Sequence, residues 1–325
     1  MTLPVYDGPT ARSGSEPVIA ARGLTMRYGS LTALDNLSLE LHAGDIFGYI
    51  GPNGAGKTTT MKILAGLLRP TAGEAFILGR NVARNGQFVR SNVGYMPDSF
   101  GVYEDLTVHE YLDFFAAAYA VPRSRRRRII DDVLALTDLA PKRDALVDSL
   151  SRGMQQRLGL ARVLVHDPPI LLLDEPASGL DPHARIEIRE LLRELRRLGK
   201  TILVSSHILS ELGEFCNKLG IIERGRLLVS GTIEQLMSEA KIHPSIEIRP
   251  VGEPQAAASA LRGDPRIERI EVVDGVIFVS LADGAEHHHF LIERLLAAGV
   301  RIHSVAPRQM KLEDVFLRLT RGVVQ

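Results

Sequence analysis

Eight residues of the chain, GPNGAGKT from Gly51 to Thr58, have the spacing G-x-x-x-x-G-K-[ST] of a phosphate-binding loop. The apolar run IFGYI before them predicts a buried strand, and KTTTMKILAGLL after them has the apolar spacing of a helix. At such a junction the glycines let backbone N–H groups turn around an anion, and the helix start adds partial positive charge. A structural Gly-rich turn is the alternative, but a chance match is on the order of one in a hundred. The sequence therefore predicts that this segment binds a nucleotide.

Two side chains carry the specific chemistry of this loop. Lys57 is expected to reach the β- and γ-phosphates, and the hydroxyl of Thr58 is expected to ligate Mg²⁺. The residues predicted to hold the nucleotide here are Gly51, Pro52, Asn53, Gly54, Ala55, Gly56, Lys57, Thr58 and Thr59.

A second candidate lies in ILLLDE, residues 170–175, an apolar segment that ends in two carboxylates. A strand here would place Asp174 beside Mg²⁺ and leave Glu175 free to act on a water molecule. Any buried strand with an acidic end has this pattern, and phosphate loops occur in GTPases, kinases, helicases and transport ATPases. The neighbouring segments narrow the choice, because LSRGMQQR (150–157) precedes the carboxylates, SGLD (178–181) follows them, and His207 comes one predicted helix and strand later.

The order and spacing of these segments resemble the ATP-binding subunits of ABC transporters, over about residues 18–235. The resemblance implies that Ser151 and Gly153 belong to the signature loop, which contacts the γ-phosphate of an ATP held by the other subunit. It also implies that Asp181 lies in the loop that communicates across the dimer. ATP and Mg²⁺ are then the expected cofactors, with Thr58 and Asp174 as metal ligands.

Two further positions match the family less specifically. His207 corresponds to the switch histidine; a single His after a strand is often a surface or core residue, but the preceding TILVSS favours the catalytic role. Tyr28 corresponds to the aromatic residue that stacks on adenine, while a Tyr in an N-terminal strand can equally be a packing residue. The predicted catalytic residues are thus Lys57, Glu175 and His207.

The chain departs from the family pattern at three positions. Asp98, in YMPD, occupies the place of the usual Gln; it can still ligate Mg²⁺ or a metal-bound water, but an ionised carboxylate donates no hydrogen bond. Arg152 and Met154 replace the usual Gly and Gln of the signature loop. Arg152 has the chemistry for a phosphate contact, and we favour exposure to solvent instead.

The resemblance implies ATP hydrolysis by a head-to-tail homodimer or heterodimer, bound at the cytoplasmic face of a membrane to separate membrane subunits. The C-terminal extension favours export, and the sequence does not specify the cargo. One alternative is an ABC-type ATPase that acts on nucleic acid or ribosomes; such proteins usually carry a long coiled-coil insertion or two ATPase units, and this sequence has neither. A second is a regulatory module that senses nucleotide, against which the intact Asp174, Glu175 and His207 argue.

The composition fits a chain with well-formed cores and no net charge. Hydrophobic residues make up 45% of 325, and 39 basic residues balance 39 acidic ones, so we expect no nucleic-acid partner. The single cysteine, Cys216, excludes an internal disulfide. No apolar run approaches the roughly 20 residues of a membrane-spanning helix.

Two domains are expected from the length and the pattern of elements. Residues 1–17 predict a loose tail, and residues 18–237 predict an α/β P-loop ATPase domain of the ABC type, with a helical subdomain at about 99–166. Residues 238–325 predict a small α+β ferredoxin-like domain of β-α-β-β-α-β order, closed by a helix in MKLEDVFLRLT.

Within the predicted helical subdomain, two segments have distinct helix signals. TVHEYLDFFAAAYA predicts a helix with Thr107 as its N-cap. The arginine-rich segment 123–128 predicts a solvated helix face, with Asp131 and Asp132 close by.

Overall fold

The chain divides between Leu236 and Met237 into two compact units, which are described separately. The computed structural model describes residues 16–99, 101, 103, 105–239, 245–282 and 287–307, without the side chains of residues 210, 237–239 and 245. The expected tail over residues 1–17 lies almost wholly outside these ranges, and so does the expected helix in MKLEDVFLRLT. Those two expectations therefore stay predictions.

The first unit is built on two sheets. Its strands are β1 (Ile19–Tyr28), β2 (Leu31–Leu41), β3 (Ile46–Ile50), β4 (Ala72–Ile77), β5 (Arg80–Asn81), β6 (Val93–Met96), β7 (Ile170–Leu173), β8 (Thr201–Ser206), β9 (Lys218–Glu223) and β10 (Arg226–Thr232). One sheet is antiparallel, with the order β2-β1-β4-β5. The other has the order β10-β9-β3-β8-β7-β6, in which β10 alone is antiparallel to its neighbour.

A helix that follows the phosphate loop, α1 (Lys57–Leu64), joins the two sheets into one hydrophobic core. Met61 and Leu64 of α1 are fully buried in the same cluster as Leu37 of β2 and Phe47 of β3. The central parallel strands are covered on both faces, which is why IFGYI and ILLL read as continuous apolar runs and not as alternating ones. This α/β core fixes the positions of the strand ends where the candidate residues lie.

The other helices of this unit are α2 (Gly86–Asn92), α3 (Val108–Ala118), α4 (Arg123–Leu136), α5 (Arg152–Leu164), α6 (Pro182–Arg197), α7 (Leu209–Gly213) and α8 (Ile233–Glu239), which crosses the boundary between the units. Helices α3, α4 and α5 pack against one another between β6 and β7 in the chain. Across the residues that the structure describes, no helix combines the length and apolarity needed to cross a membrane.

The second unit has six elements, β11 (Ser245–Val251), α9 (Pro254–Leu261), β12 (Ile267–Val273), β13 (Val276–Leu281), α10 (His289–Ala297) and β14 (Arg301–Pro307). They follow the strand and helix order that the sequence predicts. The strands form one antiparallel sheet, β12-β13-β11-β14. Ile248, Leu261 and Leu291 belong to a core cluster made only of residues from this unit, so the unit buries its own apolar side chains.

Candidate functional site

The candidate residues gather at one edge of the six-stranded sheet. Strands β3, β8, β7 and β6 are parallel neighbours, so their carboxyl ends lie side by side. Gly51 directly follows β3, Asp174 follows β7 and His207 follows β8, while Asp98 comes two residues after β6. The spacing of motifs along the chain is therefore converted by sheet topology into one cluster of side chains.

The phosphate loop leaves the start of α1 open for an anion. Gly56 occupies the N-cap position with φ 109° and supplies no capping side chain, and the first turn of α1 has no acidic residue. Lys57 is buried, and its Nζ donates to the carbonyl oxygen of Gly51 at 2.7 Å. Thr58 is exposed at the first turn. Free N–H groups, a helix N-terminus and a lysine ammonium together form an anion-binding site.

Close backbone packing explains one of the loop glycines. A β-carbon at Gly51 would lie only 2.2 Å from the backbone oxygen of Ile222 in β9. Gly54, by contrast, has open space around it but a φ of 81°, which disfavours a side chain there. The loop shape thus depends on glycine at these positions for two different reasons.

Glu175 lies between the two other predicted catalytic residues. Its Oε1 is 3.3 Å from Lys57 Nζ, and its Oε2 is 2.9 Å from His207 Nδ1. The backbone of Glu175 has a φ of 51°, a left-handed conformation that costs about 1–3 kcal/mol for a residue with a β-carbon. Strain of this kind persists where the surrounding structure enforces it, and here it aims the carboxylate at the phosphate loop.

Asp174 is held by a residue that the sequence analysis did not single out. The Ser205 hydroxyl donates to Asp174 Oδ1 at 2.7 Å and accepts from the backbone N–H of Glu175 at 2.9 Å. Ser205 is completely buried at the end of β8. Its one sequence signal is a polar pair, Ser205–Ser206, that ends the otherwise apolar strand TILVSS.

The oxygen atoms present fit a hard divalent cation. Asp174 Oδ2 is buried and has no hydrogen-bond partner among the described residues, and the exposed hydroxyl of Thr58 is a second oxygen donor. Within that same part of the chain, no three His, Cys, Asp or Glu side chains form a metal cage. Mg²⁺ in nucleotide sites is bound by one or two protein oxygens together with phosphates, and Asp174 Oδ2 and the Thr58 hydroxyl are two such oxygens.

Asp98 belongs electrostatically to this cluster. Partial burial, followed by the charges of Asp174 and Glu175, raises the pKa of the Asp98 carboxyl, while Arg152 and His207 oppose the rise. The structure thus places the residue that replaces the family's Gln within range of the predicted metal ligand.

Arg152 is exposed, as expected, but it also makes a specific contact. A β-carbon at Gly179 would lie 2.3 Å from Arg152 Cζ, so the guanidinium group packs over the backbone of the SGLD segment. Arg152 therefore links the start of α5 to the loop before α6 within one chain.

Three predicted dimer residues lie at helix starts. Ser151 is the N-cap of α5 and accepts from the N–H of Met154 at 3.4 Å. Asp181 is the N-cap of α6, where it accepts from the N–H groups of His183 and Ala184, and these bonds lower the pKa of Asp181. Gly153 lies close to Ala184, because a β-carbon at Gly153 would be 3.2 Å from Ala184 Cβ. The starts of α5 and α6 are thus neighbours.

Tyr28 ends β1 and pairs with Leu31 across the turn to β2. Its residue surface is 47% exposed. The exposure makes the ring available for stacking and argues against a packing role.

Comparisons with known proteins agree with this geometry. The sequence pattern of the family described as "ABC transporter" matches residues 34–178. A Nod factor export ATP-binding protein I from Rhizobium sp. (strain N33) is 37% identical over 306 residues, which cover 94% of this chain and 98% of that protein.

Solved structures match about two thirds of the chain. The structure of an ATP-binding subunit of an ABC transporter has a TM-score of 0.62 and 29% identity, over 68% of this chain and 92% of its own. An ATP-binding cassette in a dimeric post-hydrolysis state with ADP and Pi has a TM-score of 0.61 and 26% identity, over 66% and 98%. On its fold, its clustered motifs and its relatives along nearly the whole length, the chain belongs to the ABC transporter family, as an ATP-binding subunit that hydrolyses ATP.

Proposed function

We propose that this chain powers export by hydrolysing ATP in a head-to-tail dimer that is coupled to a separate membrane subunit. The placement of Glu175 between Lys57 and His207 is the observation that carries the hydrolytic part of the proposal. The relatives that span both units are named for Nod factor export, which supports the direction of transport.

The geometry supports a different role in ATP hydrolysis for each side chain at the sheet edge. Lys57 would exchange its contacts with Gly51 and Glu175 for phosphate oxygens, which frees Glu175 Oε1. Glu175 would then orient or deprotonate the attacking water, and His207 would hold Glu175 and the γ-phosphate in line. Mg²⁺, when held by Thr58 and Asp174 with Asp98 nearby, would neutralise charge on the β- and γ-phosphates. Tyr28 would stack on the adenine ring.

In the proposed dimer, each chain would supply signature-loop residues to the ATP that the other chain binds. Ser151 and Gly153 lie at the start of α5, where they would face the phosphate loop of a second copy or of a related ATPase chain. Asp181 would line the same interface from the start of α6. ATP held between two chains would join them, so hydrolysis would let the dimer open.

A membrane subunit at the cytoplasmic face would convert this closing and opening into alternating access. We place its contact at the surface near Asp98 and helices α3 to α5, and we place the cargo-binding residues in that subunit. The tagged full-length chain should copurify with a protein of several membrane spans from detergent-solubilised membranes. Salt-sensitive binding to nucleic acid without such a protein would favour the rival ATPase class instead.

Substitution of Glu175 by Gln tests the hydrolytic assignment. Glu175→Gln should slow ATP hydrolysis by about 10²–10⁴, because a positioned general base contributes that much. The variant should also accumulate as an ATP-bound dimer, since closure no longer ends in hydrolysis. Phosphate release and size-exclusion chromatography with Mg²⁺ and ATP measure the two effects.

Glu190→Gln is the matched control, because Glu190 is an exposed residue of α6 that pairs with Arg193. It should hydrolyse ATP at the parental rate. Parental hydrolysis by Glu175→Gln would show that another residue activates the water.

A further inference from the structure

The end of β8 carries a hydroxyl group that contacts both acidic residues of the site. Strands β7 and β8 are in parallel register, with Leu173 opposite Val204, so the next residues along, Asp174 and Ser205, are also side by side. Ser205 has 0% of its surface exposed, and its hydroxyl therefore has no access to bulk water. The two hydrogen bonds that it makes lie inside the catalytic cluster.

One of these bonds fixes the carboxylate of Asp174. Ser205 Oγ donates to Oδ1 at 2.7 Å, while Oδ2 is buried and has no partner among the described residues. A carboxylate with one oxygen held can rotate less about its last bond, so the other oxygen keeps a constant direction. This leaves Oδ2 as the donor atom available to a cation.

The other bond holds the main chain of Glu175. The backbone N–H of Glu175 donates to the same Ser205 Oγ at 2.9 Å. Glu175 has a φ of 51°, which is sparsely populated for a residue with a β-carbon. The bond holds the peptide group between Asp174 and Glu175 in one orientation, and it gives the buried N–H the partner that it needs.

The neighbouring serine has a different set of contacts. Ser206 is also buried, with 6% of its surface exposed, but its hydroxyl accepts from the N–H of Ile208 at 3.0 Å. The bonds of Ser206 go to the segment after β8, and those of Ser205 go to the acidic pair. The chain therefore offers a matched control one residue away.

We propose that Ser205 is a positioning residue for metal-dependent hydrolysis, which it serves by aiming Asp174 Oδ2 and by holding the peptide group from which the Glu175 side chain projects. The hydroxyl acts through these two residues. The proposal rests on the proposed function in one respect, namely that a metal–nucleotide complex binds at this sheet edge.

The hydroxyl can be tested at constant side-chain shape by comparing Ser205→Val with Ser205→Thr in the full-length chain. Mn²⁺ replaces Mg²⁺ so that electron paramagnetic resonance reports free and bound metal, in the presence of a non-hydrolysable ATP analogue. Ser205→Val should weaken Mn²⁺ binding by about tenfold or more, the usual effect of losing a group that orients a metal ligand. Ser205→Thr should bind Mn²⁺ like the parent chain.

Two further measurements separate positioning from general damage. Binding of the nucleotide analogue in EDTA should be the same for all variants, because the phosphate loop is intact. Ser205→Val should also lower kcat at saturating Mg²⁺, since the peptide group before Glu175 is no longer held, whereas Ser205→Thr should keep kcat near that of the parent chain.

Ser205→Ala and Ser206→Ala repeat the comparison with smaller side chains, and only Ser205→Ala should weaken Mn²⁺ binding. Equal Mn²⁺ affinity for Ser205→Val and Ser205→Thr would overturn the proposal, and so would an equal loss in Ser206→Ala. If the parent chain binds no metal–nucleotide complex, the proposed function itself is wrong. This result can be told apart from failure of the Ser205 proposal, because it is seen in the parent chain without any substitution.

Discussion

At the scale of single residues, the phosphate loop has no room for a side chain at Gly51. The obstacle is backbone, the oxygen of Ile222, which moves less easily than the end of a side chain. We expect Gly51→Ala to lower the free energy of unfolding by about 1–3 kcal/mol, as overpacking usually does. It should also weaken ATP binding, because the loop must shift to relieve the overlap. Urea titration and nucleotide titration measure the two effects.

Gly101→Ala is the control for Gly51→Ala. A β-carbon at Gly101 would have no neighbour within 4 Å among the described residues, so Ala should change stability by less than about 0.5 kcal/mol. Similar stabilities for the two variants would mean that the loop tolerates displacement from β9.

Single residues also show which parts of the candidate site can be predicted from sequence motifs and which cannot. The motifs single out Lys57, Asp174, Glu175 and His207, and the structure brings these residues to the same edge of the sheet, because the strands that precede them are parallel neighbours. They gave no sign of the Ser205 bonds, which depend on the register between β7 and β8. Nor did they predict the left-handed backbone of Glu175, since Glu has no preference for it.

At the scale of elements, α3 begins with a complete capping box. Thr107 Oγ1 accepts from the N–H of Glu110, and the Glu110 carboxylate accepts from the N–H of Thr107 at 2.9 Å. The sequence prediction of Thr107 as the N-cap is thus confirmed. We expect Thr107→Ala to destabilise the chain by about 1 kcal/mol. Thermal or urea unfolding of the purified variant measures this.

Thr107→Ser keeps the hydroxyl and should retain most of the stability. The hydrogen bonds are reciprocal, so Glu110→Ala combined with Thr107→Ala should cost less than the sum of the two single changes. Strict additivity would argue that the box is not a unit in solution.

The charged helix α4 shows where pattern reasoning is incomplete. The sequence placed Asp131 and Asp132 near the arginine run, and Arg128 does approach Asp132 at 3.9 Å. Asp131 pairs instead with Arg143, which comes from the segment after α4. Long-range partners of surface charges follow from tertiary packing, and each such pair contributes little to stability.

At the scale of the whole molecule, two units with separate cores follow one another in the chain. In the second unit, the order of strands and helices could be predicted from periodicity and turn residues. The pairing of strands was less readable. The insertion of β8 between β3 and β7, for example, joins segments that are far apart in sequence.

Acid stability of the first unit should depend on His166. Burial lowers the pKa of His166 to about 4, with the Val93 backbone opposing the shift, and the ring stacks on Tyr119 at 3.8 Å between centroids. Between pH 6.5 and 4 the unfolded chain binds a proton that the folded chain does not, so stability falls as the pH drops through this window. The full loss, on the order of 3 kcal/mol, is reached below pH 4.

Urea unfolding at several pH values should therefore show a shallower acid dependence for His166→Phe than for the parent chain. His303→Asn is the control, because His303 is an exposed residue of β14 in the second unit, and its curve should run parallel to that of the parent. Parallel curves for His166→Phe and the parent would assign the acid loss to carboxylates alone.

The left-handed φ of Glu175 implies a conflict between the stability of the fold and the activity proposed for this residue. Glycine at this position would relieve the local strain and remove the proposed general base in the same step. Laboratory evolution that selects only for stability at high temperature would thus tend to enrich Glu175→Gly and similar variants that do not hydrolyse ATP. Selection for a thermostable and active variant therefore has to measure both survival after heating and the rate of ATP hydrolysis.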